Sequence, residues 1–217
     1  MKTIIIGLVA LVALAVLVSG LFGGSNAGAQ PGSRSAAPVE IGSGPLSVDG
    51  FWALIDRSAA FESNPDAQVA DLRASLLRLT PDQIADFQKL FGETMQNSYS
   101  WDLWGVAYLS NGGASDDSFE YFRCWLISKG RRVFEAVSAD PDSLADLLAT
   151  GEGGDLEFEE FAYVARDAWA TKTGRDWNDM PVVANIAYDI EPKGSPLIET
   201  PEALAHRYPK LWKRFGS

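Results

Sequence analysis

Four times this chain sets a hydrogen-bond acceptor directly before a proline: Asn64-Pro65, Thr80-Pro81, Asp140-Pro141 and Thr200-Pro201. Each pair places a capping side chain at the N-cap and a proline at the first helical position, where its missing N–H is no loss. A chain punctuated in this way is committed to helices. Thr80-Pro81-Asp82-Gln83 adds a glutamine at N3 and so predicts a capping box. Behind it Ile84, Phe87, Phe91 and Met95 recur at helical spacing. Val69, Leu72 and Leu76 repeat the pattern before it, and Phe158, Phe161, Ala165, Ala168 and Trp169 repeat it later. Only Val182 to Tyr188 has strand character, and Pro181 precedes it. The fold expected is all-α: a single compact multi-helix orthogonal bundle. An extended segment, Gly174 to Glu199, is held over the helices by Trp177, Ile186, Tyr188 and Ile190. It leads into a last helix, Pro201 to Phe215.

At 217 residues and 47% hydrophobic, the chain has enough apolar mass for one globular core. Its net charge of −11 argues against nucleic-acid binding, since no basic surplus displaces counterions from phosphates. Cys124 stands alone, so no intramolecular disulfide forms and no thiolate cluster holds zinc. A single histidine, His206, leaves almost no imidazole chemistry; it reads as a surface residue beside Arg207. No cofactor is implied.

Residues Ile4 to Val18 are an apolar run behind Lys2, with the n-region and h-region pattern of an export signal. Ala27-Gly28-Ala29 supplies a small-x-small site, favouring cleavage. Extended to Phe22, the run also reaches the length of an uncleaved anchor. Both readings export the remainder. Gly, Ser, Ala and Pro dominate from Gly23 to Leu46, a tether of roughly 25–30 Å by random-coil scaling. The expected organisation is therefore a signal peptide or anchor over 1–29, a linker over 30–46 and an α-helical domain over 47–217. The domain lies outside the cytoplasm and meets the membrane only through its N-terminal segment.

The densest stretch runs from Tyr99 to Gly130. Trp101 to Leu109 is apolar nearly all round, with Asp102 as its one charge. Arg123, set among large apolar side chains, is the expected partner for Asp102, in a contact that would fix the crossing of two helices. Asn111-Gly112-Gly113 ends the first helix with a left-handed cap, and Ser115 caps the next, with Asp116 and Asp117 complementing its dipole. Asp116, Asp117 and Glu120 lack the alternating spacing of a calcium loop, and no metal site is expected from them. Cys124 reads as a small core side chain. Glu157, Glu159 and Glu160 open a further helix, and Arg207, Lys210 and Arg214 line the last one, pairing with the acidic body.

Phe51-Trp52-x-Leu54-Ile55-Asp56, Trp101-Asp102-Leu103-Trp104-Gly105-x-Ala107-Tyr108 and Asn111-Gly112-Gly113-x-Ser115-Asp116-Asp117-x-Phe119-x-Tyr121-Phe122-Arg123 form one set of motifs. With Gly130-Arg131, Pro141-Asp142-Ser143-Leu144 and Arg207-Tyr208-Pro209-Lys210-Leu211-Trp212, they resemble the bacterial family called domain of unknown function 4240, common in actinobacteria. The resemblance covers roughly Val48 to Phe215. It implies an α-helical domain without an established activity or catalytic residues, and the export segment departs from the family's pattern.

Two function classes compete on these residues. One is a non-enzymatic, envelope-associated interaction domain, whose acidic surface complements a basic protein partner. The other is a carboxylate-dependent hydrolase, with or without a metal ion, working through clustered acids. Asp102, Trp104, Asp116, Asp117, Glu120 and Arg123 are the candidate binding residues, and Asp102, Asp116, Asp117 or Glu120 would be the acid, base or metal ligand of a hydrolase.

Overall fold

The computed structural model describes residues 38–181 and 191–216. The apolar run at Ile4–Phe22, the Ala27-Gly28-Ala29 site and all of Val182–Ile190, including Ile186, Tyr188 and Ile190, lie outside the described residues. No helix among the described residues is long and apolar enough to cross a membrane.

Helices α1 (Val48–Ser58), α2 (Pro65–Leu76) and α3 (Pro81–Asn97) open the domain. Asn64 accepts from the Ala67 N–H, and the Thr80 capping box forms with both of its reciprocal hydrogen bonds. Next come α4 (Trp101–Asn111) and α5 (Asp116–Ser128), capped by Ser100 and Ser115. Between them Gly112 takes φ 74°, the left-handed backbone that a side chain resists. Then follow α6 (Arg131–Ala139), a 3₁₀ turn at Pro141–Ser143, α7 (Leu144–Leu147), a 3₁₀ turn at Glu159–Ala162 and α8 (Val164–Thr173). A further 3₁₀ turn at Trp177–Asp179 precedes α9 (Pro201–Arg207) and α10 (Pro209–Phe215). The described residues contain no strand beyond one isolated parallel bridge, Ser100 with Lys193. The fold is an all-α bundle.

Three elements differ from the sequence reading. The expected last helix is two helices, because Pro209 has no N–H to continue the ladder and Tyr208 turns to φ −133°, ψ 66°. Asp140 starts only a 3₁₀ turn and makes no capping bond, since it also terminates α6 through its own N–H on the Ala136 carbonyl. The glutamates Glu157, Glu159 and Glu160 precede or occupy a 3₁₀ turn, and α8 begins at Val164. Here the Phe158 N–H is drawn onto the Tyr121 carbonyl of α5, which sets the chain's path before any α-helix forms.

The end of the glycine-rich stretch is docked. Gln83 Nε2 donates to the carbonyls of Gly42 (2.7 Å) and Gly44 (2.8 Å), and Asp86 accepts from the Leu46 N–H. Leu46 is buried. The core joins Phe51 and Ile55 of α1, Leu72 and Leu76 of α2, Ile84 and Phe87 of α3, and Phe119, Phe122 and Leu126 of α5. Helix α3 packs mainly on α8 and also on α5, while α10 packs on α9 and α4.

Candidate functional site

The expected Asp102–Arg123 pair does not form. Asp102 lies in the first turn of α4, where its Oδ1 accepts from Arg207 Nη2 (2.7 Å) and Nε (3.1 Å). The same guanidinium donates to the Ser195 and Pro196 carbonyls. Beside it Tyr208 is buried, its hydroxyl donating to the Asp102 carbonyl at 2.9 Å and its ring lying against Gly105. The Trp-Asp-Leu-Trp-Gly and Arg-Tyr-Pro-Lys-Leu-Trp motifs are thus two halves of one joint. Asp142 completes it by accepting from the Lys210 and Leu211 N–H groups at the start of α10. Lys210 pairs with Asp146, and Arg214 donates to the carbonyls of Ala145, Leu148, Ala149 and Glu152. Trp104 packs against Phe119, with ring centroids 4.7 Å apart. Asp102 and Trp104 thus hold helices together, and neither lines the cleft at Arg123. His206 is exposed.

Arg123 points the other way, towards the C-terminal turns of α3. Its Nη1 donates to the Met95 carbonyl at 2.7 Å and its Nε to the Phe119 carbonyl at 3.3 Å. The guanidinium lies beside the paired rings of Tyr99 and Phe119, 5.0 and 4.8 Å from centroids that are themselves 5.9 Å apart. It is only 9% exposed, and no carboxylate pairs with it among the described residues. Burial pulls its pKa below the ordinary arginine value, with Glu120 opposing that through space. Arginine stays charged regardless. A buried, unpaired cation is costly, and two carbonyls with two ring faces compensate it only in part. The Nη2 edge makes no hydrogen bond among the described residues.

Arg123 lines a cleft of about 410 Å³ whose walls come from α3, α5 and the start of α8. Helix α3 supplies Gln88, Phe91, Gly92, Met95 and Gln96, with Tyr99 just beyond its end. These recur at i, i+3, i+4, i+7, i+8 and i+11, a single helical face. Asp116, Asp117 and Glu120 bring three carboxylates from α5, and Tyr163 and Arg166 face them. Asp116 and Asp117 are exposed; Glu120 is half-buried. Gln88 is buried, yet its Oε1 is enclosed without a hydrogen-bond partner among the described residues. Such orphaned groups are rare in folded proteins and call for an account. Nearby the Tyr163 ring lies tilted against Trp177 (6.1 Å between centroids, 56° between planes), and Arg166 lies over the Trp177 ring at 5.3 Å.

Four of the six candidate residues, Asp116, Asp117, Glu120 and Arg123, therefore meet in one cleft, and Asp102 and Trp104 do not join them. Sequence reasoning missed Gln88, Gln96, Tyr99, Tyr163 and Arg166. The legible signal was on α3: two glutamines and a glycine interrupt an otherwise apolar stripe. No group of His, Cys, Asp or Glu able to hold a metal ion forms among the described residues. Cys124 is fully buried in the core, 3.9 Å from the Met95 sulfur, and burial pushes its thiol up to about 12.

Residues 46–171 match the model of a family described as protein of unknown function, DUF4240. The chain belongs to this family. All the cleft residues named above fall inside the match, whereas Trp177, Arg207 and Tyr208 lie beyond it. No curated protein matches the chain, and no solved structure does.

Proposed function

We propose that this DUF4240 member is a non-enzymatic binding domain acting outside the cytoplasm, and that its ligand enters the cleft between α3, α5 and α8. The observation that carries the reading is the polar lining of the cleft: an arginine, Arg123, only 9% exposed and with no hydrogen bond at Nη2 among the described residues, beside the buried, unpartnered Gln88 amide oxygen. A bound molecule supplying an anionic acceptor to Arg123 offsets the cost of burying its charge. The volume falls in the range that holds small molecules. The planar guanidinium edge suits a carboxylate, which it can hold with two parallel hydrogen bonds.

The hydrolase reading draws support from three carboxylates lining one cleft. It is weakened by where they sit: Asp116 and Asp117 are exposed at the rim, without the apolar enclosure that separates a catalytic acid from its base. A basic protein partner remains a second reading, favoured by the net charge of −11. Export rests on the Ile4–Val18 run and the Ala27-Gly28-Ala29 site.

Thermal melting of the full chain with millimolar carboxylates tests the site. A ligand at about 100 times its dissociation constant adds roughly 2.7 kcal/mol, a shift of several degrees. Protection in wild type that vanishes in Arg123→Lys supports the reading; protection unchanged by that substitution refutes it. A salt-sensitive partner recovered by pull-down would support the basic-protein reading. Mass spectrometry of the N-terminus of exported protein reads out cleavage after Ala29.

A further inference from the structure

We infer that the cleft takes a basic amino acid with its carboxylate free, either as the free molecule or as the last residue of a chain. This rests on the reading of the cleft as a binding site and adds the identity of its occupant. The first requirement comes from Arg123. Its Nε and Nη1 donate to the Phe119 and Met95 carbonyls and the Tyr99 and Phe119 rings pack beside it, so a ligand meets it through Nη2. That approach selects a planar acceptor such as a carboxylate.

The second requirement comes from charge. Two arginines, Arg123 and Arg166, line the cleft against three carboxylates, Asp116, Asp117 and Glu120. A purely anionic ligand meets a surplus of negative charge, and a dianion such as phosphate meets it twice over. A molecule with its own cation is favoured instead. The third requirement is spacing. Arg123 Nε reaches back to the Phe119 carbonyl, so the guanidinium sits beside the turn that holds Glu120. Asp116 and Asp117 lie one to two turns nearer the start of α5, about 5–10 Å along the axis. A lysine or arginine spans that interval between its carboxylate and its side-chain cation. Phe91, Met95 and Tyr99 give its methylenes an apolar wall, as such stems prefer. Gln88 supplies an independent observation: a buried amide oxygen with no partner among the described residues, on a side chain that lines this same cleft.

Isothermal titration of the full chain with four probes tests the inference: L-arginine, L-argininamide, L-citrulline and Nα-acetyl-L-arginine, with L-lysine alongside. L-Arginine or L-lysine is expected to bind at micromolar to low millimolar concentration. Argininamide, lacking the carboxylate, should bind at least about tenfold more weakly, the loss of one charge-assisted contact. If argininamide binds as well as arginine, the reading of Arg123 as a carboxylate anchor falls. Citrulline, an isostere without the side-chain cation, should also lose about tenfold. If citrulline matches arginine, the basic-ligand inference falls while the carboxylate site stands. Nα-Acetylarginine separates the sources: equal affinity points to a chain end, and loss points to the free amino acid. The double variant Asp116→Asn/Asp117→Asn, at exposed positions that leave the fold intact, should lower arginine affinity and leave citrulline unaffected. Arginine affinity unchanged in that variant, or no binding of either basic amino acid up to about 10 mM, beyond the whole range expected, overturns the inference.

Discussion

Replacing Gly105 by alanine probes the joint between α4 and the C-terminal helices. A Cβ at this position would lie 2.3 Å from the Tyr208 hydroxyl oxygen and 2.6 Å from two of its ring carbons. Ordinary carbon contacts are about 3.5–4.0 Å, so the ring has to withdraw by roughly 1 Å. It cannot do so alone. Tyr208 joins α9 to α10, Arg207 beside it is held by Asp102, and the first N–H groups of α10 are held by Asp142. The substitution therefore loses the hydroxyl bond to the Asp102 carbonyl, about 1 kcal/mol, and much of the burial of a ring that is only 1% exposed, about 2–3 kcal/mol. Alanine's better helix propensity returns about 1 kcal/mol. The net expectation is a destabilisation of about 2–3 kcal/mol, a fall in Tm of about 4–12 °C for a chain this size. Circular dichroism melting of the full chain measures it. Because the damage passes through one ring, Tyr208→Ala and the double variant should melt close together, a strong departure from additivity. A Gly105→Ala protein melting within a degree of wild type, or additive effects in the double variant, would refute the argument.

Other expectations are smaller in scope. Asp102→Asn weakens a partly exposed pair with Arg207, so the loss should stay within about 1 kcal/mol and shrink further in high salt, read by melting at two ionic strengths. Gln83→Ala removes the amide that holds the Gly42 and Gly44 carbonyls, with an expected loss of about 1–3 kcal/mol and new proteolytic cuts near residues 42–46. Burial raises the Tyr208 phenol from 10.0 to about 12. The folded state then holds this proton more tightly than the unfolded chain, so its contribution is intact below pH 10 and is lost progressively towards pH 12. Melting across that window should steepen in wild type relative to Tyr208→Phe. Cys124, enclosed and with its thiol raised to about 12, should resist an aromatic disulfide reagent at pH 8 until the protein unfolds.

The helical character of the chain was readable because it is written in local chemistry. Thr80 with Gln83, Asn64, Ser115, Thr200 and Gly112 act within a few residues of themselves, and the structure finds each in its expected role. Apolar spacing likewise identified the buried faces of α2 and α3. Local rules failed where a distant segment intervened. The last helix was read as continuous from Pro201 to Phe215, yet it breaks at Tyr208, in a turn held in place by Gly105 and Asp102, a hundred residues earlier.

Pairing was the part that only tertiary structure could decide. Sequence proximity joined Asp102 to Arg123, but the helix directions send one towards Arg207 and the other towards the Met95 carbonyl. The same rotation gathers Arg123 with Glu120, Asp116 and Asp117 along one face of α5 and turns that face onto the glutamine stripe of α3. Hydrogen bonds within a helical turn are fixed by residues three or four apart, so a sequence reports them directly. Which charged side chain meets which, and which one is left without a partner, depends on how whole helices pack; that free energy is summed over dozens of apolar contacts and appears at no single position in the chain.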